Sequence, residues 1–132
     1  MAGKKGWKNK LNQIIDQKNI DILKFGIKKI PHEVLPEYYK NTKVILDLMR
    51  ANQTGLSFRI FEAMALEKKI ITDNPTIKTY DFYNPNNILV LDKNFRNIKK
   101  DFFNTPYEKL PKEVYDKYTL DHWVNTVFKL NA

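Results

Sequence analysis

The residues with the most chemistry to offer lie in one short stretch, Asp47-Leu-Met-Arg-Ala-Asn-Gln-Thr-Gly-Leu-Ser-Phe-Arg59. An apolar segment ends there, a polar loop carrying Gly55 follows, and an amphipathic segment begins near Ser57. The first N–H groups of a helix have no intrahelical partner, and the helix dipole adds partial positive charge. A loop-to-helix junction of this kind can therefore hold an anion. Thr54 and Ser57 add hydroxyl donors, and Arg59 adds a guanidinium fork that suits phosphate. Glu62 stands one turn further in, on the same helix face as Arg59. A carboxylate there can accept two hydrogen bonds from a ribose diol, a device that recurs in dinucleotide folds. The plainer alternatives are an ordinary strand–loop–helix turn with Ser57 or Thr54 as N-cap, and a surface Arg59–Glu62 pair of ~0.3–0.5 kcal/mol.

Other polar residues say less. His32 falls in a loop where a ligand contact is one option. His122, beside Trp123, reads as a packing residue, and neither histidine has a companion at metal-ligand spacing. Asp47 and Asp73 end adjacent candidate strands, where turn and capping bonds are the ordinary role. Tyr80-Asp-Phe-Tyr83 suggests base stacking or, more simply, a packed turn. There is no Gly-x-Gly-x-x-Gly and no Gly-x4-Gly-Lys-Ser/Thr, which excludes ordinary NAD enzymes and P-loop NTPases. The chain has no cysteine, so thiol catalysis, disulfides and Cys-ligated metals are excluded.

These side chains need a frame to position them. Leu11, Ile14 and Ile15 are spaced for a helix over Lys8–Asn19. The β-branched and aromatic run Ile20–Ile27 predicts a strand. Val34–Lys40 predicts a short helix, and Lys43–Leu48 a strand buried on both faces. Ser57–Glu67 predicts a helix whose apolar stripe is Phe58, Phe61, Met64 and Ala65. Lys69–Thr72 and Ile88–Leu91 predict two more buried strands, with breaks at Asn74-Pro75 and Asn84-Pro-Asn-Asn87. A short helix is expected over Phe95–Phe103 and a closing helix over Leu120–Leu130. Strands that alternate with helices predict an α/β fold: a Rossmann-like open parallel sheet of about four strands with helices on both faces. Ligands of such sheets bind beyond the carboxyl ends of the strands, where the loop before Ser57 falls. Residues 1–7 read as a disordered start or tag, and 8–132 as one domain.

Composition narrows the partners. The 132 residues carry 23 Lys and Arg against 15 Asp and Glu, a formal charge of +8. The basic residues are 20 Lys and 3 Arg, beside 14 Asn and 13 Ile, a bias that spreads along the chain. Nucleic-acid readers lean on Arg for bidentate contacts, so no nucleic-acid partner is expected. The charge admits peripheral association with an anionic surface such as the inner membrane. No apolar run approaches the ~20 residues of a membrane span, and no signal core follows the basic start. A cytoplasmic location is the expectation.

The stretch Phe58-Arg-Ile-Phe-Glu-Ala-Met-Ala-Leu-Glu-Lys-Lys-Ile-Ile-Thr72 resembles the Glu-Ala-Met-Ala-x-Gly-x-Pro-Val-Val signature of GT-B glycosyltransferases, in their C-terminal nucleotide-sugar-binding domain. Phe25-Gly26, Ile30-Pro31, Leu35-Pro-Glu-Tyr-Tyr39 and Val44-Ile-Leu46 are similar to the family's lead-in. Gln53-Thr-Gly-Leu-Ser-Phe-Arg-Ile-Phe-Glu62 and Tyr80-Asp-Phe-Tyr-Asn-Pro-Asn-Asn-Ile-Leu-Val90 look closer still to glycosyltransferase-like proteins of bacterial lipopolysaccharide and capsule biosynthesis. The resemblance implies a donor-binding half of such an enzyme. Glu62 would hold the nucleotide ribose, Thr54, Gly55 and Ser57 would cradle the pyrophosphate, and Arg59 would balance its charge. The segment around His32 would line the base. The nucleotide-diphosphate sugar would be substrate, with no separate cofactor and no metal. The acceptor, a glycan or lipid-linked chain, would be met through an N-terminal domain absent from these 132 residues, so the chain alone should be inactive. The chain departs from the pattern in three places: Glu67 replaces the family's Gly, Lys69 its Pro, and Ala51-Asn-Gln-Thr54 the acidic loop that handles the donor sugar. A non-catalytic receiver-like or protein-interaction domain is the alternative. Against a receiver, the run Ile20–Ile27 does not end in clustered carboxylates.

Overall fold

The computed structural model describes residues 29–130. The predicted helix Lys8–Asn19, the predicted strand Ile20–Ile27 and the start over residues 1–7 lie outside the described residues. Within them three parallel strands form one sheet in chain order: β1 (Val44–Asp47), β2 (Lys69–Thr72) and β3 (Ile88–Val90). The sheet thus has three described strands where about four were expected.

The register explains the core. Ile45 pairs with Ile70, and Ile70 with Ile88, so three isoleucines line up across the sheet on one face. Side chains alternate along a strand, so Leu46, Ile71 and Leu89 line up on the other. The first face packs against helix α2 (Phe58–Ala65), a 3-10 turn at Pro75–Thr79, Tyr39 of helix α1 (Leu35–Lys40) and Val114 of helix α4 (Lys112–Lys117). The second face packs against Phe95, Ile98 and Phe102, the last on helix α3 (Lys100–Asn104). Helices therefore cover both faces, as expected for a parallel sheet. Helix α5 (Leu120–Phe128) closes the described chain. Full burial of each central isoleucine is worth about 1.5–3 kcal/mol.

Three local expectations are corrected. The strand β1 is buried only at Ile45 and Asp47, because alternate residues Val44 and Leu46 stay half-buried at the sheet's described edge. In α2 the buried stripe is Ile60, Ala63 and Met64, while Phe58 is 85% exposed and Ala65 also faces outward. Both stripes have helical spacing, so periodicity could not choose between them. The expected helix over Phe95–Phe103 is delayed to Lys100–Asn104. Asp92 Oδ1 accepts the amides of Asn94 and Arg96 at 3.0 Å each, an arrangement that competes with helix for those donors. Helix α4 follows Pro111 in a stretch that gave no helical signal.

The breaks fall where expected. Asn74 Oδ1 accepts the amide of Thr76 at 3.1 Å and caps the 3-10 turn that Pro75 begins. Asn84 Oδ1 accepts the amide of Asn86 at 2.8 Å, turning the chain into β3. The Tyr80–Tyr83 segment is a packed turn: Phe82 is buried, 4.9 Å edge-on to Tyr118.

Candidate functional site

The carboxyl ends of β1 and β2 carry the loop of residues 48–57 and the start of α2, where the sheet topology puts ligand sites. Two side chains staple this loop. Gln53 receives the amide of Arg50 at 3.2 Å and donates to Gly55 O at 2.8 Å. Asn74, buried beyond β2, donates its Nδ2 to the same carbonyl at 3.2 Å. Asn52 takes a positive φ of 69°, a conformation that asparagine tolerates better than most residues. Met49 N donates to Asp73 Oδ1 at 2.7 Å and ties the two strand ends together.

Ser57 sits at the N-cap position of α2 with extended backbone, yet its side chain does not cap the helix. Its hydroxyl donates instead to Asp47 Oδ1 at 2.7 Å. Arg59 Nη1 lies 3.4 Å from the same oxygen. The capping alternative for Ser57 is thus not what the fold adopts. No side-chain oxygen among the described residues accepts the first-turn amides of α2. Ile60 N donates to the Ser57 carbonyl at 3.2 Å, which leaves the amides of Phe58 and Arg59 for an incoming anion. Arg59 is half exposed while Asp47 is buried, so the guanidinium is anchored at one end and open to solvent at the other.

Glu62 is exposed one turn along, and its Oε2 accepts the Tyr39 hydroxyl at 3.2 Å. Tyr39 lies in the last turn of α1, with its ring against the first-face core. Burial pushes its phenol pKa above the usual 10.0, the Glu62 carboxylate adds to the rise, and Arg59 opposes it. The Tyr39 hydroxyl therefore stays protonated as a donor at neutral pH and feels both charged groups. Thr54 and Gly55 are exposed on the loop. A Cβ built on Gly55 would meet no atom within 4 Å, and its φ is not positive.

The fold thus brings Ser57, Arg59 and Glu62 to one helix end, with Thr54 and Gly55 on the loop leading into it. His32 opens a 3-10 turn at His32–Val34 and is exposed; among the described residues no side-chain bond joins it to this group. Two members were not picked out by sequence. In sequence Asp47 reads as an ordinary turn residue, and Tyr39 only as part of a lead-in string. The alternation of β1 could have placed Asp47 on the α2 face, but nothing local indicated the long-range bond from Tyr39. An open groove of about 270 Å³ lies elsewhere, lined by Asn86, Leu89, Lys99 and Phe102 among others. Among the described residues no three His, Asp or Glu side chains cluster as a metal site, and no helix is long and apolar enough to cross a membrane.

Comparison with known proteins gives one match of sequence to family: a family model described as "Glycosyl transferase-like" matches residues 1–126. No curated protein and no solved structure gives a significant match.

Proposed function

The chain belongs to the glycosyl transferase-like family, and we propose that it supplies the donor-binding part of a GT-B-type glycosyltransferase. The donor is a nucleotide-diphosphate sugar, bound as substrate, and no cofactor or metal is invoked. The pathway proposed is bacterial surface polysaccharide or lipopolysaccharide assembly at the cytoplasmic side, with peripheral attraction of the basic chain to the inner membrane. The acceptor, a glycan or lipid-linked chain, is assigned to no described residue.

One observation carries the reading: the N-terminus of α2 has no side-chain cap, and an anchored arginine stands beside it. The pyrophosphate meets the first-turn amides with Thr54, Gly55 and Ser57 around it. Arg59 balances the charge that grows on the leaving diphosphate, and Glu62 accepts from the ribose. Chemistry of this type rests on positioning and charge stabilisation rather than on a protein nucleophile. His32 is retained as a base-side contact on the resemblance alone.

The test is an NMR titration with UDP, GDP, ADP and CMP. One diphosphate should shift the amides of residues 54–62 selectively, and Glu62→Ala should weaken it. Equal affinity before and after that substitution would remove the ribose assignment.

A further inference from the structure

We infer that Tyr39 is the residue that aims the Glu62 carboxylate at the ribose, an inference that rests on the donor site proposed above. Glu62 projects from the exposed side of α2, and among the described residues its one side-chain hydrogen bond is to Tyr39. A free glutamate there would sample several conformers, and a ligand would have to select one. The Tyr39 hydroxyl removes that freedom by donating to Oε2 at 3.2 Å from a different element. The bond uses Oε2, and no described residue donates to Oε1. One carboxylate oxygen is thus held, and the other is presented for a diol.

The tyrosine is itself well placed to hold. Its ring packs against the core shared by Ile45, Ile60 and Met64, so the hydroxyl is carried on a supported ring and not on a free side chain. The Arg59 charge acts on the same hydroxyl, opposing the rise that burial and Glu62 give its pKa. Tyr39 therefore links the group assigned to the ribose and the group assigned to the diphosphate. It is a positioning residue, since the substrate contact belongs to Glu62.

The experiment compares a ribonucleoside diphosphate with its 2′,3′-dideoxy counterpart, using UDP and ADP with the full chain and the Tyr39→Phe and Glu62→Ala variants. Tyr39→Phe keeps the packed ring, and an unchanged melting temperature confirms its fold. The wild type should prefer the ribose form, and Glu62→Ala should abolish that preference. Tyr39→Phe should cut it by about three- to tenfold while binding of the dideoxy form stays constant. If Glu62→Ala removes the preference while Tyr39→Phe leaves it unchanged or tightens ribose binding, the tyrosine merely occupies the carboxylate; the inference falls and the donor site stands. If the wild type shows no ribose preference, the inference and the ribose assignment fall together.

Discussion

Ser57 Oγ lies 2.7 Å from Asp47 Oδ1, and the hydroxyl that could cap α2 is spent on the end of β1 instead. The same buried oxygen receives Arg59 Nη1 at 3.4 Å, so one carboxylate fixes both the helix start and its guanidinium. Asp47→Ala would leave both donors without this acceptor. It should cost about 1–3 kcal/mol in urea unfolding, the usual range for breaking a buried polar contact. Asp47→Asn, which can still accept from Ser57, should cost less. An Asp47→Ala protein as stable as the wild type would show that the contact holds nothing.

Gly55 offers a cleaner separation of binding from stability. Its backbone does not need the left-handed region, and the space around its missing side chain is open. Gly55→Ala should therefore leave the melting temperature unchanged or raise it slightly, by up to about 1 kcal/mol through the unfolded chain. If a diphosphate approaches this backbone, the added methyl stands in its way and affinity should fall severalfold. Undiminished nucleotide binding by a stable Gly55→Ala protein would move the pyrophosphate away from this loop.

The C-terminus of α2 carries a strain that glycine would relieve. Lys68 N donates to Ala63 O at 2.8 Å and Glu67 N to Met64 O at 3.2 Å, the paired bonds of a Schellman motif. The motif puts Glu67 at φ 52°, where a Cβ is unfavourable. Glu67 also pairs with Lys109 at 3.6 Å, but both side chains are exposed and the pair is worth little. Glu67→Ala removes the ion pair and keeps the Cβ; Glu67→Gly removes both. The glycine variant should be more stable than the alanine variant by about 1 kcal/mol. The reverse order in chemical denaturation would mean that the turn relaxes without glycine's help.

That turn also shows what could be read from the chain and what could not. The Glu67 departure was visible as a residue, but only the backbone shows that the position needs φ above zero. The strands at Val44–Asp47, Lys69–Thr72 and Ile88–Val90 were legible because buried parallel strands are short β-branched runs between breakers. The junction at Ser57–Glu62 was legible because its residues are local. Phe58 misled because an aromatic at helical spacing need not face the core: it is 85% exposed, whereas Phe61 is half-buried and packs against the core. Lys69 stands where the resemblance has a proline. Its amine is buried, donating to Phe102 O at 2.7 Å and Thr105 Oγ1 at 2.6 Å. Long-range contacts such as this one and Tyr39–Glu62 leave no mark on periodicity.

Tyr118 should make the protein sensitive to alkali. Its hydroxyl donates to Asp81, which Lys117 also grips at 2.7 Å, and its ring stacks on Phe61 at 5.9 Å. Burial first and then the Asp81 carboxylate push its pKa from 10.0 up to about 12. Between those values the folded state holds a proton that the unfolded chain has lost. The stabilising contribution is therefore complete below the lower value and is lost as pH rises through the upper one. Tyr39 and Tyr107, both raised mainly by burial, act in the same direction. Lys69 acts oppositely: burial lowers its pKa below 10.5, so in the window beneath that value its contribution grows with pH. Asp81 acts on the acid side. Its bonds to Lys117 and Tyr118 hold its pKa below 3.8, so that stabilisation is lost as pH falls through the lowered value. Urea unfolding from about pH 8 to 12 should show wild-type stability dropping more steeply than that of Tyr118→Phe, with Lys69 common to both. Parallel slopes would mean that the phenol titrates alike in the folded and unfolded chains, and the Asp81 contact would then contribute nothing in solution.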